Sequence, residues 1–109
     1  MSDFGSDRSS DEDRLQFLDD TTPLALQEML ALSGFTLAEL MALVEHGAFE
    51  PQGATVETWI FSARTVFIAR RAAGLRNEFG LDTPGTSLVL GLLERIEALE
   101  RRLRELEQP

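Results

Sequence analysis

Cysteine is absent from the 109 residues, so neither a disulfide framework nor a thiolate metal site is available. Lysine is absent as well: all ten basic residues are arginines, which excludes P-loop and Schiff-base lysine chemistry. Tyrosine does not occur and histidine occurs once, at His46, so general acid–base groups are scarce. No apolar run approaches the about 18–20 residues of a membrane span, and the acidic N-terminal stretch does not resemble a signal peptide. These absences predict a soluble, cytoplasmic protein that is not an enzyme and uses no cofactor or metal. At 12.1 kDa the chain allows one domain, with a core that buries roughly 60–70 % of the unfolded surface.

The net charge is −9, and its layout is uneven. Residues 1–20 carry seven acids against Arg8 and Arg14. Residues 21–60 carry Glu28, Glu39, Glu45, Glu50 and Glu57 and no basic residue at all. Residues 61–81 reverse the sign, with Arg64, Arg70, Arg71 and Arg76 against Glu78. Residues 82–109 mix six acids with four arginines. The chain thus reads as an acidic front half, one basic strip and a mixed-charge tail.

Residues 1–20 are rich in Ser, Asp and Gly, a composition that predicts a disordered acidic arm. Leu15, Phe17 and Leu18 depart from it, and two readings stand: docking on the fold, including as a short strand, or no contact. A first helix is expected over Leu24–Ser33, with Thr22 as cap, Pro23 at its start and Gly34 at its end. Thr36-Leu37-Ala38-Glu39 is a capping box, with Phe35 and Leu40 as the hydrophobic staple. It opens a second helix with Leu40, Leu43 and Val44 inward, stopped by Gly47, where His46 suits a C-terminal capping role. The turn at Gly34–Thr36 makes the pair a helix-turn-helix. Ala48–Pro51 and Val56–Phe61 flank a Gln52-Gly53 turn and predict a small hairpin, or wing. Ser62 caps a third helix of about 17 residues whose stripe is Ile68, Ala72, Leu75 and Phe79. After Gly80, Asp82–Gly85 starts a fourth helix that runs almost to the end.

That last helix carries Val89, Leu92, Ile96, Leu99, Leu103 and Leu106, spaced 3, 4, 3, 4, 3. Val89, Ile96 and Leu103 take a positions and Leu92, Leu99 and Leu106 take d positions of a heptad seam. β-Branched residues at a with Leu at d favour a parallel two-stranded pair. Arg95 and Arg102 then fall at g opposite Glu100 and Glu107 at e, which supports a parallel homodimer. The alternative reading is a stripe that packs back on its own domain.

The order of elements, with Ser33-Gly34-Phe35-Thr36, Glu39-Leu40, Gly47 to Glu50-Pro51 and Thr58-Trp59-Ile60-Phe61, resembles the MerR-type winged helix. Leu75-Arg76-Asn77-Glu78-Phe79-Gly80-Leu81-Asp82-Thr83-Pro84-Gly85 is similar to the L-R-x-E-[LF]-x-L-D-x-P-G run of its chaperone-modulator branch, the CbpM family. Leu88, Leu92 and Leu93 resemble the apolar helix of that branch. The fold class expected is mainly α: a MerR-like winged helix-turn-helix with a small β-hairpin wing and a long C-terminal helix. Its domains would be an arm (1–20), the winged helix-turn-helix (21–85) and a coiled-coil-like helix (86–109). The resemblance implies a chaperone modulator that binds the J-domain of a DnaJ-like, curved-DNA-binding type co-chaperone and inhibits it. The indirect partner would then be a DnaK-type chaperone.

The alternative is a MerR-type DNA-binding transcription regulator. Such proteins meet phosphates with arginines on the second helix and wing. Here those positions fall on Met41, Trp59 and Ile60, inside a stretch without a cation, so specific nucleic-acid binding is not expected. Glu39, Glu45, Glu50 and Glu57 are instead candidates to meet a basic protein partner, with Met41 and Phe49 as apolar anchors. Trp59 suits the core better than a surface. The arginine strip, on a scaffold helix, is expected to pair with acidic helices or with the arm.

Overall fold

A computed structural model describes residues 18–107. The disordered-arm reading therefore lies, up to residue 17, outside the described residues. Side-chain alternation, not helical periodicity, governs the first element. Pro23–Ala25 form strand β1, with Leu24 inside and Pro23 and Ala25 outside. Helix α1 accordingly spans Leu26–Ser33, two residues shorter than the expected helix. Its N-cap is Ala25 rather than Thr22, and the Glu28 carboxylate accepts the Ala25 N–H at 3.0 Å. Pro23 has no N–H to give to a ladder, so it suits the first position of a strand as well as that of a helix.

Gly34 closes α1 at φ 90°, in the left-handed region that favours glycine. Helix α2, Leu37–Glu45, follows at 103° to α1, the geometry of a helix-turn-helix. The capping box is made in both directions: Glu39 N–H donates to Thr36 Oγ1 and Thr36 N–H donates to Glu39 Oε1. Phe35 and Leu40, its staple, are both buried. His46 is the C-cap, its N–H donating to the Ala42 carbonyl.

The wing is more irregular than alternation suggested. Val56–Thr58 form a single 3₁₀ turn, and only Ile60–Ser62 form a strand, β2. The reason is local. Thr55 and Thr58 satisfy one another's backbone and hydroxyl groups, which competes with a strand ladder. The antiparallel partner of β2 is β1, with Leu24 opposite Phe61. The wing itself is one bridge, Gln52 to Ile60, with Gly53 inside its loop. Gly53, at φ 122°, could carry no Cβ, because that atom would lie 2.5 Å from the Thr58 carbonyl oxygen.

Helix α3, Ala63–Phe79, starts at Ser62, whose hydroxyl accepts the Thr65 N–H. It packs between α1 and the last helix, α4, Thr83–Glu107. Being covered on two sides, α3 buries Val66, Ile68, Ala69, Ala72 and Ala73 rather than one narrow stripe. Phe79, expected inside, is 67 % exposed, although Arg76 in the same last turn reaches Phe35 and Glu39. Met29, Leu40, Val66 and Leu90 are fully buried and anchor one core, each worth about 1.5–3 kcal/mol of burial. Phe61 sits at its edge, with Phe49 and Trp59 each set edge-on to it at 6.2 Å. Trp59 is half-buried, in keeping with its core reading. Among the described residues no single helix is long and apolar enough to cross a membrane.

Helix α4 uses two separate faces. Thr86, Leu90 and Leu93 turn into the core, and Glu97, next on that face, is held by Arg64 and Arg71. Leu92, Ile96, Leu99, Leu103 and Leu106 point away and are 45–77 % exposed. Val89 alone of the seam is half-buried against the core. The stripe that packs on the domain is thus a different one from the heptad seam.

Candidate partner-binding surface

Three glutamates of the cation-free stretch remain uncommitted. Glu28 caps α1, and Glu39 is taken twice, by the Thr36 cap and by Arg76 Nη1 at 2.5 Å. Among the described residues, Glu45, Glu50 and Glu57 form no ion pair, and all three are exposed. Met41 lies one turn before Glu45 on the same face of α2 and is 40 % exposed. Leu37, one turn earlier again, is equally exposed. The outer face of α2 is therefore an apolar pair ending in a carboxylate.

A second acidic site lies beside the wing. Phe49, Phe61 and Ile68 line a recess of about 430 Å³, with Ile60 exposed and Glu50 and Glu94 on its border. Phe49 is only 6 % exposed, so the expectation that it projects as an anchor is corrected: it packs edge-on against Phe61 in the core. Glu57 stands apart in the 3₁₀ turn. Glu39 faces the other side of α2 from Met41. Of the residues expected to meet a partner, the structure joins Met41 with Glu45 and leaves Glu50 at the recess.

Leu37 and Glu94 line these sites without a signal in the sequence, whereas Ile60 was already placed on the wing, though not as a partner contact. Leu37 hid inside the capping box. Glu94 comes from a distant helix, and no local spacing brings it to the wing.

The arginine strip is engaged in structure. Arg76 lies over the Phe35 ring at 4.9 Å while pairing with Glu39, which ties α3 to the start of α2. Arg70 donates to the Leu32 carbonyl at 2.9 Å. Arg64 and Arg71 approach Glu97 at 3.9 and 4.0 Å.

Partial burial raises the Glu39 pKa, but the Thr36 hydrogen bonds and the Arg76 guanidinium outweigh it and hold the carboxyl below its ordinary value. A carboxylate with a lowered folded-state pKa stabilises the fold in full above its ordinary value. That contribution is lost as pH falls towards the folded value. Because the pair is partly exposed, the effect is at most about 1 kcal/mol. Urea unfolding followed down through the carboxylate range should show Arg76→Gln losing less stability on acidification than wild type. Equal losses in both would remove Glu39 from the acid response.

Residues 24–108 match the family model described as MerR HTH family regulatory protein. The chain is 34 % identical over 85 residues to the chaperone modulatory protein CbpM of Pseudomonas putida strain W619, covering 78 % of this chain and 84 % of that one. It is 32 % identical over 88 residues to CbpM of Coxiella burnetii strain Dugway 5J108-111, covering 81 % and 83 %. To CbpM of Pseudomonas entomophila strain L48 it is 38 % identical over 69 residues, covering 63 % and 68 %.

Proposed function

The chain belongs to the chaperone modulatory protein CbpM family, of MerR helix-turn-helix type, and we propose that it is a non-enzymatic, cytoplasmic inhibitor of a DnaJ-like co-chaperone. Its target is the J-domain, and its effect on a DnaK-type chaperone is indirect. The observation that carries this reading is the α2 and wing surface. Leu37, Met41 and Glu45 are exposed on α2 and Ile60 and Glu50 beside the wing, with Glu57 apart from both, and residues 21–60 hold no cation. A basic protein helix is matched by that surface in sign. A DNA duplex is repelled by it, since each phosphate contact needs a positive group.

The protein acts as a homodimer through the seam of α4. Five apolar residues, Leu92 to Leu106, are exposed on a face of α4 separate from the one that enters the core. The flanking Arg95, Arg102, Glu100 and Glu107 favour the parallel arrangement, in which each g arginine faces an e glutamate of the other copy.

Titration of purified J-domain, with binding followed by calorimetry, tests the partner. Binding is expected to be one J-domain per chain and to be lost in Met41→Asp. Absence of binding by the folded wild type would refute the reading. In a gel shift at physiological salt the protein should leave DNA unshifted. Tight, sequence-selective shifting would instead restore the DNA-binding regulator.

A further inference from the structure

Sulfur is scarce in this chain, and its placement is uneven. There is no cysteine, and methionine occurs at positions 1, 29 and 41. Position 1 lies outside the described residues. Met29 is fully buried in the core, whereas Met41 is 40 % exposed on the outer face of α2. Met41 is therefore the one accessible sulfur among the described residues.

Its surroundings separate surface from fold. Leu40 and Leu43 carry the inward face of α2, and Met41 is not among the described side chains that pack on the core. Leu37, one turn before it, is 41 % exposed, and Glu45, one turn after it, is exposed as well. Chemistry at the Met41 sulfur can thus alter the α2 face and leave the fold as it is. A thioether is polarisable and its flexible side chain adapts to an irregular partner surface. Its sulfoxide is polar and chiral, and disrupts interfaces built on methionine.

We propose that Met41 is a peroxide-sensitive modification site whose oxidation to the sulfoxide switches off the α2 surface; the switch rests on the reading of that surface as the partner contact. The sulfur lone pair attacks one oxygen of hydrogen peroxide. The S–O bond forms as the O–O bond breaks, and the departing hydroxide takes the proton left on the transferred oxygen to give water. Sulfur is oxidised by two electrons and the peroxide is reduced by two. Hydrogen peroxide is uncharged, so the carboxylates of residues 21–60, which repel an anionic oxidant, do not hold it off. The new sulfoxide oxygen is a hydrogen-bond acceptor, and docking it beside Leu37 under an apolar partner group buries it unpaired.

Binding and oxidation then exclude one another. A bound partner covers the sulfur, so peroxide removes the free protein first and draws the complex apart by mass action. The co-chaperone is thereby released as peroxide rises, and reduction of the sulfoxide restores its inhibitor.

The test treats the folded protein with hydrogen peroxide and maps its peptides by mass spectrometry. Met41 should oxidise about tenfold or more faster than Met29. Helical circular dichroism should be unchanged, while affinity for purified J-domain, read by calorimetry, should fall about tenfold or more. Methionine sulfoxide reductases for both epimers should restore it. Saturating J-domain during the treatment should slow the oxidation of Met41. Met41→Leu, whatever its own affinity, should bind equally before and after peroxide. Equal oxidation of Met29 and Met41, undiminished J-domain binding by the oxidised wild type, or a peroxide effect that persists in Met41→Leu would each overturn the switch and leave the partner reading intact. Untreated wild type that fails to bind J-domain would refute that reading and the switch with it.

Discussion

Leu99→Asp should convert the protein from dimer to monomer. Leu99 sits at the centre of the α4 seam, 56 % exposed in the single chain, on the side of the helix that faces away from its domain. Folding of the chain does not depend on it, because the core contacts of α4 come from Thr86, Leu90 and Leu93. Dimerisation buries two copies of it. Losing the burial of two leucines removes about 3–6 kcal/mol, and each new carboxylate adds a desolvation cost. That weakens association by at least about a hundredfold. Sedimentation velocity at tens of micromolar should give one dimeric species for wild type and one monomeric species for the variant, with unchanged helical circular dichroism. A monomeric wild type would overturn the dimer. A dimer that persists in the variant would place its interface off the seam.

Changing Glu45, Glu50 and Glu57 together to Gln should slow association with the J-domain by about tenfold or more at low salt. Glu39 is left out of this set because Arg76 and the Thr36 cap already hold it. In the proposed complex the three carboxylates are rim charges, which steer encounter more than they hold partners together. Dissociation should therefore change little, and the salt dependence of the on-rate should flatten. Met41→Ala should do the reverse, speeding dissociation with little effect on encounter. If the triple variant binds at the wild-type rate at every ionic strength, the interface lies elsewhere on the molecule.

Local chemistry made much of this fold legible. The Thr36–Glu39 box, the Ser62 cap and the glycines at 34 and 80 fix helix ends through interactions within four residues, so sequence spacing suffices to find them. The pieces that escaped depend on partners far along the chain. Pro23–Ala25 reads equally as a helix start; it becomes a strand because Ile60–Ser62 lies beside it. Phe49 reads as an anchor because it is aromatic in a loop, and only the position of Phe61 buries it. The heptad seam was legible as a pattern. Its direction was not, since α4 carries a second stripe at 86, 90 and 93 that could equally have been the outer one.

The candidate surface was legible as a sign and much less as a geometry. The absence of cations from 21 to 60 identifies the acidic half directly. Which glutamates stay available depends on contacts between elements: Arg76, 37 residues downstream, removes Glu39, and Glu94 joins from the tail helix.

The most direct measurement is the ATPase activity of a DnaK-type chaperone stimulated by its J-domain co-chaperone, with this protein titrated in. Stimulated activity should fall to the chaperone's own basal rate as the J-domain is saturated, the basal rate should be untouched, and Met41→Asp should restore stimulation. Undiminished stimulation at saturating wild-type protein would contradict it.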